Sequence, residues 1–422
     1  MSSVQQAPSP LFDGIAQWIM DQGLRELELG ELVRGMGKRL VAGGIPIHRV
    51  AIGGMILHPV FGAIDITWEA QNDVARNERF PRSILALPEF QNAPFFQAGK
   101  NNIPFQRFYL ETDNTASQYP ILDRLRRQGV TDYLVAFHSY GRDDEILWAE
   151  LPPGLHGVMC SFSTRRIGGF TDREIEYLRA LTRPLSLSVK AGLTHELAET
   201  VLDTYLGSYS GGQVLEGLVE RGDGKLIDCV LWYSDLRDST ALADTMPLDE
   251  FLGMINDYFE CTAGAVLDHG GEVLRFIGDA VIAIFPYEEE SRPLADMARA
   301  AVATSREAVA RVDRRNEKLS GCDRPAIRFG ISLHIGSVMY GNIGTERRLE
   351  FSVIGPAANE VVRLEDFCKK LRTQVIASSR FNDVCPEKMI PLGTHPAAGV
   401  EGGLAAFTLT EFQPCPESEA AE

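Results

Sequence analysis

The chain has no CxxC pair, and its seven cysteines (Cys160, Cys229, Cys261, Cys322, Cys368, Cys385, Cys415) are scattered and odd in number. That usage excludes a disulfide framework and a cysteine-type zinc site, and it fits a reducing cytoplasm. Long hydrophobic runs are also missing. The most apolar stretch, Val50 to Ile66, is broken by Gly53, Gly54, His58, Pro59 and Gly62, so it reads as buried strands and not as a membrane span. No basic segment followed by an apolar core opens the chain, which excludes a signal peptide. Positive charge is in deficit: 41 Lys and Arg face 58 Asp and Glu, for a formal charge of −17. A protein that coats nucleic acid needs clustered Lys and Arg, so that class is excluded.

What is present is the composition of a globular protein, 45% apolar and 23% charged, in 422 residues. That length exceeds one ordinary core and predicts two domains with connectors. Residues 1–10 read as disordered, and 11–42 carry apolar positions at helical spacing. Strand-like runs follow at Val50–Leu57, Ala63–Glu69, Tyr133–Tyr140 and Gly157–Ser163. Thr171 can cap a helix whose first turn holds Asp172 and Glu174. Residues 191–225 read as a connector: Leu193, Leu197 and Val201 form one stripe, Gly207, Gly211 and Gly212 break it, and Val214–Val219 resumes it.

From Leu226 the pattern sharpens. Ile227–Tyr233 is a continuous apolar run, the mark of a central buried strand. A helix follows from Pro247 to Gly270. Val273–Ile277 and Ala280–Phe285 flank a Gly-Asp pair, which predicts a tight hairpin with Asp279 at its tip. A long helix over 293–319, a strand over 327–334, a helix over 357–370 and a strand over 373–377 complete the order. Strand, helix, hairpin, helix, strand is the ferredoxin-like split βαβ arrangement, an α/β (α+β) fold. The last residues, 413–422, read as a disordered acidic tail.

Asp235 ends the buried strand and Asp279 tips the hairpin. If the two are neighbours in one sheet, their carboxylates meet at one edge, a pairing suited to two divalent ions gripping a triphosphate. The segment from Asp235 to Thr240 would supply backbone N–H groups to phosphate oxygens. An acidic surface does not oppose this, because a metal-loaded pocket can hold a nucleotide.

Four ordered segments resemble the class III nucleotide cyclases: Tyr233–Thr240, Gly270–Phe285, Gly330–Gly344 and Phe351–Leu364. The resemblance covers residues 226–412 and implies that they form the catalytic domain. It further implies that Asp235 and Asp279, helped by the carbonyl of Leu236, hold two divalent cations, Mg or Mn. Asn359 would orient the ribose and Arg363 would neutralise the α-phosphate. Asp238, Ser239 and Thr240 would meet phosphate, and Arg275 with Ser352 would read the base. The substrate implied is a nucleoside triphosphate, and the product a 3′,5′-cyclic monophosphate with pyrophosphate. The resemblance also implies a head-to-tail homodimer in which one chain gives the metal aspartates and the other gives Asn359, Arg363 and the base readers.

The motifs depart from the family in places. Arg275 stands where adenine is usually read by Lys, and guanidinium is larger and forked. Ser352 keeps a short hydroxyl at the partner position, which leans the pair towards ATP, with GTP or a pyrimidine triphosphate as alternatives. Ala398 stands where a basic residue often meets the triphosphate, and Asp238 replaces a Gly. These two departures leave a second function, a low-activity cyclase-like regulator that binds a ligand, with Arg237 as a possible substitute cation. The N-terminal segments Gly157–Arg165 and Gly168–Leu178 resemble the end of a GAF-like sensory domain. That resemblance implies a regulatory domain over 11–190 with a small-molecule ligand. The aromatic set Phe80, Phe90, Phe95, Phe96, Phe105, Phe108 and Tyr109 reads mainly as core packing.

Overall fold

A computed structural model describes residues 10–25, 28–56, 58, 61–101, 103–112, 118–140, 157–321, 324–397 and 400–414. Residues 1–9 and 415–422, most of the two segments read as disordered, lie outside the described residues, as does Ala398. The chain divides into two compact units, Met1–Val201 and Leu202–Glu422. Among the described residues no helix is long and apolar enough to cross a membrane.

The first unit opens with α1 (Pro10–Gly23) and α2 (Leu29–Ala42). Three strands follow, β1 (Arg49–Met55), β2 (Phe61–Glu69) and β3 (Val74–Pro81), then a 3-10 turn at Arg82–Ala86 and the short helices α3 (Pro88–Gln91) and α4 (Pro94–Lys100). Next come β4 (Phe105–Tyr109), α5 (Pro120–Arg127), β5 (Asp132–Ser139), β6 (Gly157–Thr164) and the 35-residue α6 (Asp172–Leu206). The strands form one antiparallel sheet in the order β3-β2-β1-β6-β5-β4. On one face Val50, Ile52, Ile64, Ile66 and Phe162 pack under Leu32, Val33 and Met36 of α2 and Leu181, Leu185 and Val189 of α6. On the other, Tyr133 and Val135 pack with Phe108, Leu122 and Leu125. Thr171 caps α6 as its sequence predicts: its hydroxyl accepts from the Glu174 amide at 3.3 Å while Glu174 accepts from the Thr171 amide at 2.7 Å.

The second unit contains α7 (Ser208–Leu215), β7 (Gly224–Leu236), α8 (Ser239–Thr245), α9 (Leu248–Asp268), β8 (Glu272–Ile277), β9 (Ala280–Pro286) and α10 (Leu294–Leu319). Then follow β10 (Phe329–Thr345), β11 (Arg348–Ile354), α11 (Pro356–Lys370), β12 (Val375–Ser378), α12 (Ser379–Asn382), β13 (Met389–Ala397) and β14 (Val400–Leu409). The sheet runs β13-β14-β12-β10-β7-β9-β8, with β11 paired to β10. Within it β10-β7-β9-β8 is the ferredoxin-like order, with α9 and α10 as the crossovers. Val230, Trp232, Val281 and Phe285 pack on α9 and α10 through Tyr258, Val266, Ala301 and Val302. Cys229, Leu231 and Tyr233 pack on α11 through Ala357, Ala358 and Val361.

Two boundaries differ from expectation. Helix α7 ends at Leu215, short of Val219, because Gly217 turns the backbone into the left-handed region at φ 99°. Strand β10 continues to Thr345, well past His334. Gly336, which reads as an interruption, sits in the strand because a Cβ there would collide with Ala357 of α11.

Candidate active site

Strand register builds the site. Asp235 at the end of β7 lies opposite Gly330 of β10 and opposite Ala280 of β9, the residue after Asp279. The hairpin turn that carries Asp279 depends on Gly278, whose φ is 64°. The structure therefore brings the two aspartates together. Burial, repulsion from Asp279 and a hydrogen bond between the two carboxyls push Asp235 up to about 6. Two hard oxygen donors that repel each other, both open enough to reach solvent, fit a divalent cation whose remaining ligands are substrate oxygens and water. Among the described residues no group of three or more metal-ligating side chains gathers anywhere.

Arg237, the first residue after β7, pairs with Glu365 of α11 at 2.6 Å. Glu365 is only 2% exposed, and burial pushes its carboxyl up to about 7. The pair lies over Gly330, where any Cβ would overlap both side chains. Arg237 is thus engaged behind the aspartates and is not free to replace the missing basic residue near position 398. Glu365 was not singled out from the sequence. Its signal is a charged residue inside the buried stripe Ala357, Val361, Leu364, Cys368 of α11.

Asp238 begins α8 with φ 58° and ψ 22°, a left-handed conformation in which Gly is the easier residue. Its carboxylate is held by Arg328 at 2.5 Å and lies 3.9 Å from Lys369. The negative charge that replaces Gly is therefore compensated within the chain. Ser239 is half-buried and Thr240 exposed at the same turn. Leu236 is buried beside Asp235.

Asn359 is exposed and Arg363 half-exposed on α11. Among the described residues neither side chain has a hydrogen bond or ion pair, so the chain does not join them to Asp235 or Asp279. Ala357 packs on Gly336, opposite Cys229, whereas Glu365 packs on Gly330, opposite Asp235. Helix α11 thus starts towards the far end of β7, and Asn359 lies about 9 Å of helix rise from Glu365. Arg275 of β8 pairs with Glu350 of β11 at 2.8 Å. Ser352, 7% exposed, lies two residues along β11 on the same side as Glu350. Glu350 is a second residue that the sequence pattern does not single out.

The ferredoxin-like domain thus sets two facing carboxylates at a strand end and a hairpin tip, donors of a kind that suits a divalent cation. No protein-family model matches the chain. It is 28% identical over 155 residues to the terminal-differentiation-specific adenylate cyclase of Dictyostelium discoideum, covering 37% of this chain and 7% of that protein. It is 31% identical over 173 residues to adenylate cyclase 1 of Rhizobium meliloti, covering 40% of this chain and 25% of the relative. The chain therefore spans a quarter or less of the length of these two relatives. Among solved structures, the guanylyl cyclase Cya2 aligns with TM-score 0.38 at 25% identity, covering 44% of this chain and 92% of that one. The resemblance to nucleotide cyclases holds in the similarity to these two adenylate cyclases.

Proposed function

We propose that the chain is a nucleotide cyclase that converts a nucleoside triphosphate, ATP in the first instance, into the 3′,5′-cyclic monophosphate and pyrophosphate. The observation that carries this reading is the Asp235–Asp279 pair, two carboxylates whose repulsion a divalent cation would relieve once their shared proton leaves. In this reading both aspartates, with the Leu236 carbonyl, hold two Mg or Mn ions. The cations supply charge stabilisation at the attacking oxygen and the departing pyrophosphate. Asn359 orients the ribose so that the 3′-oxygen lies in line with the α-phosphorus, and Arg363 neutralises the α-phosphate oxygens. The 3′-oxygen bonds to the α-phosphorus as the bond to the β-phosphate bridging oxygen breaks, and no protein nucleophile is required. Ser239 and Thr240 meet phosphate beside Asp238. Arg275 and Ser352 read the base, with Glu350 bracing the guanidinium.

Asn359 and Arg363, without a hydrogen bond or ion pair among the described residues, support a head-to-tail homodimer that completes each site from two chains. Exposed Phe276, Ile277, Ile354 and Val362 on the same unit offer apolar surface for that pairing. Residues 11–190 belong to the proposal as a GAF-like regulatory domain acting through the connector 191–225 on the catalytic domain 226–412.

The test is product detection by mass spectrometry with ATP, GTP, CTP and UTP in competition, under Mn²⁺ and then Mg²⁺. Cyclic AMP as the main product, lost in Asp279→Ala, is the expected result. A cyclic product from another base would move the assignment to that base. No cyclic product under either metal would overturn the reading in favour of a ligand-binding regulator.

A further inference from the structure

We propose that the first unit binds a free α-amino acid with an aromatic or large aliphatic side chain, in a cavity on the second face of its sheet. The cavity measures about 320 Å³ and continues into a polar groove of about 540 Å³. Its origin is visible in the strand register. Across β1, β2 and β3 one row reads Gly53, Asp65, Glu78, and the next reads Ala51, Thr67, Arg76. Ser161 of β6 lies opposite Ala51, and Ala63 of β2 lies opposite Met55. The other face of the same strands carries Val50, Ile52, Ile64 and Ile66, which fill a core. Small residues on the second face leave space that a packed core would not leave.

The far end of that space is apolar and aromatic. Phe80, Ile84, Phe90, Phe95 and Met159 line it. Phe96 and Phe108 are buried in packing, so the aromatic set read from the sequence divides between core and cavity wall. At the junction with the polar groove four residues line both spaces: Arg49, Asp65, Glu78 and Arg124. All four are charged, two of each sign. Arg49 donates to Thr67 at 2.8 Å and lies 4.0 Å from Asp65. Among the described residues no ion pair engages Glu78 or Arg124, so one anion and one cation stay open at the mouth.

An apolar wall ending in one open charge of each sign, Glu78 and Arg124, matches a ligand with an apolar body and a head bearing both charges. A carboxylate alone would leave Glu78 unanswered, and an amine alone would leave Arg124 unanswered. A zwitterion answers both, its carboxylate taken by guanidinium and its ammonium by carboxylate. The cavity volume accommodates a phenylalanine or leucine side chain at the lower end of ligand-pocket sizes.

Isothermal titration calorimetry on the full chain tests this with defined probes: L-phenylalanine and L-leucine, against 3-phenylpropionate and 2-phenylethylamine. Heat of binding is independent of catalysis, so failure here and failure of the cyclase reading are separate results. Saturable binding of at least one amino acid is expected, with either singly charged analogue weaker by about tenfold or more, as a lost charge-assisted contact dictates. Arg124→Ala, at an exposed position where folding is not at risk, should weaken the amino acid by about the same factor. Gly53→Val, which directs a side chain into the cavity, should abolish binding while cooperative unfolding is retained. Absence of heat with both amino acids, or equal affinity for phenylalanine and its two analogues, would overturn the proposal.

Discussion

Burial, repulsion from Asp279 and a hydrogen bond between the two carboxyls take Asp235 out of the ordinary carboxylate range, and Arg237 offsets them only in part. A carboxyl raised in the fold costs stability wherever it is charged. That cost is fully present above about pH 6 and disappears below the unfolded value near 4. Asp235→Asn should therefore raise the melting temperature of EDTA-treated protein at pH 7.5 by about 2–4 °C, the shift of roughly 1 kcal/mol after solvent screening. The gain should vanish at pH 4, and calorimetry at the two pH values checks both signs. Metal must displace the shared proton, so Mn²⁺ affinity measured by titration should weaken as pH falls through about 6. Behind this pair, Gly330→Ala would push Glu365 and Arg237 apart. A fall in kcat of about tenfold or more, with the fold retained, is the expected cost of displacing Asp235. The aspartates were legible in the sequence because each ends an apolar strand at a turn. Arg237–Glu365 was not, since an ion pair between the residue after β7 and α11 depends on a tertiary packing that no local pattern displays.

Elements with strong periodicity were legible, and those whose place depends on neighbours were not. The apolar runs of β1, β2, β5, β6, β7 and β9 and the long stripes of α9, α10 and α11 all appear where their patterns put them. Strands β3 and β4 were missed because both are edge strands of their sheet, and β3 is largely exposed and rich in Arg, Asn and Glu. Among the described residues β11 pairs with the extended end of β10, so its existence hangs on a strand longer than the 327–334 read from the sequence. Helix α6 shows the opposite case, since Thr171 and Glu174 announce it three residues apart. Thr171→Ala removes that reciprocal cap and should lower the stability of the first unit by about 1 kcal/mol, readable as a reduced midpoint in urea.

At the scale of the whole molecule, the proposed reaction draws on two sets of residues, and the proposed dimer would join one set from each chain. Asp235 and Asp279 meet at one strand end, while exposed Asn359 and half-exposed Arg363 on α11 have no hydrogen bond or ion pair among the described residues. A pair of chains related by a two-fold axis would supply each set to the other, twice. The measurement that tests this most directly is activity on mixing Asp279→Ala with Arg363→Ala after dissociation and reassociation. Each variant alone should be inactive, and the equimolar mixture should recover about a quarter of native activity, because half the dimers are mixed and each has one intact site of two. Appreciable activity in either variant alone, or no recovery in a mixture shown to contain mixed dimers, would contradict a cyclase site shared between two chains.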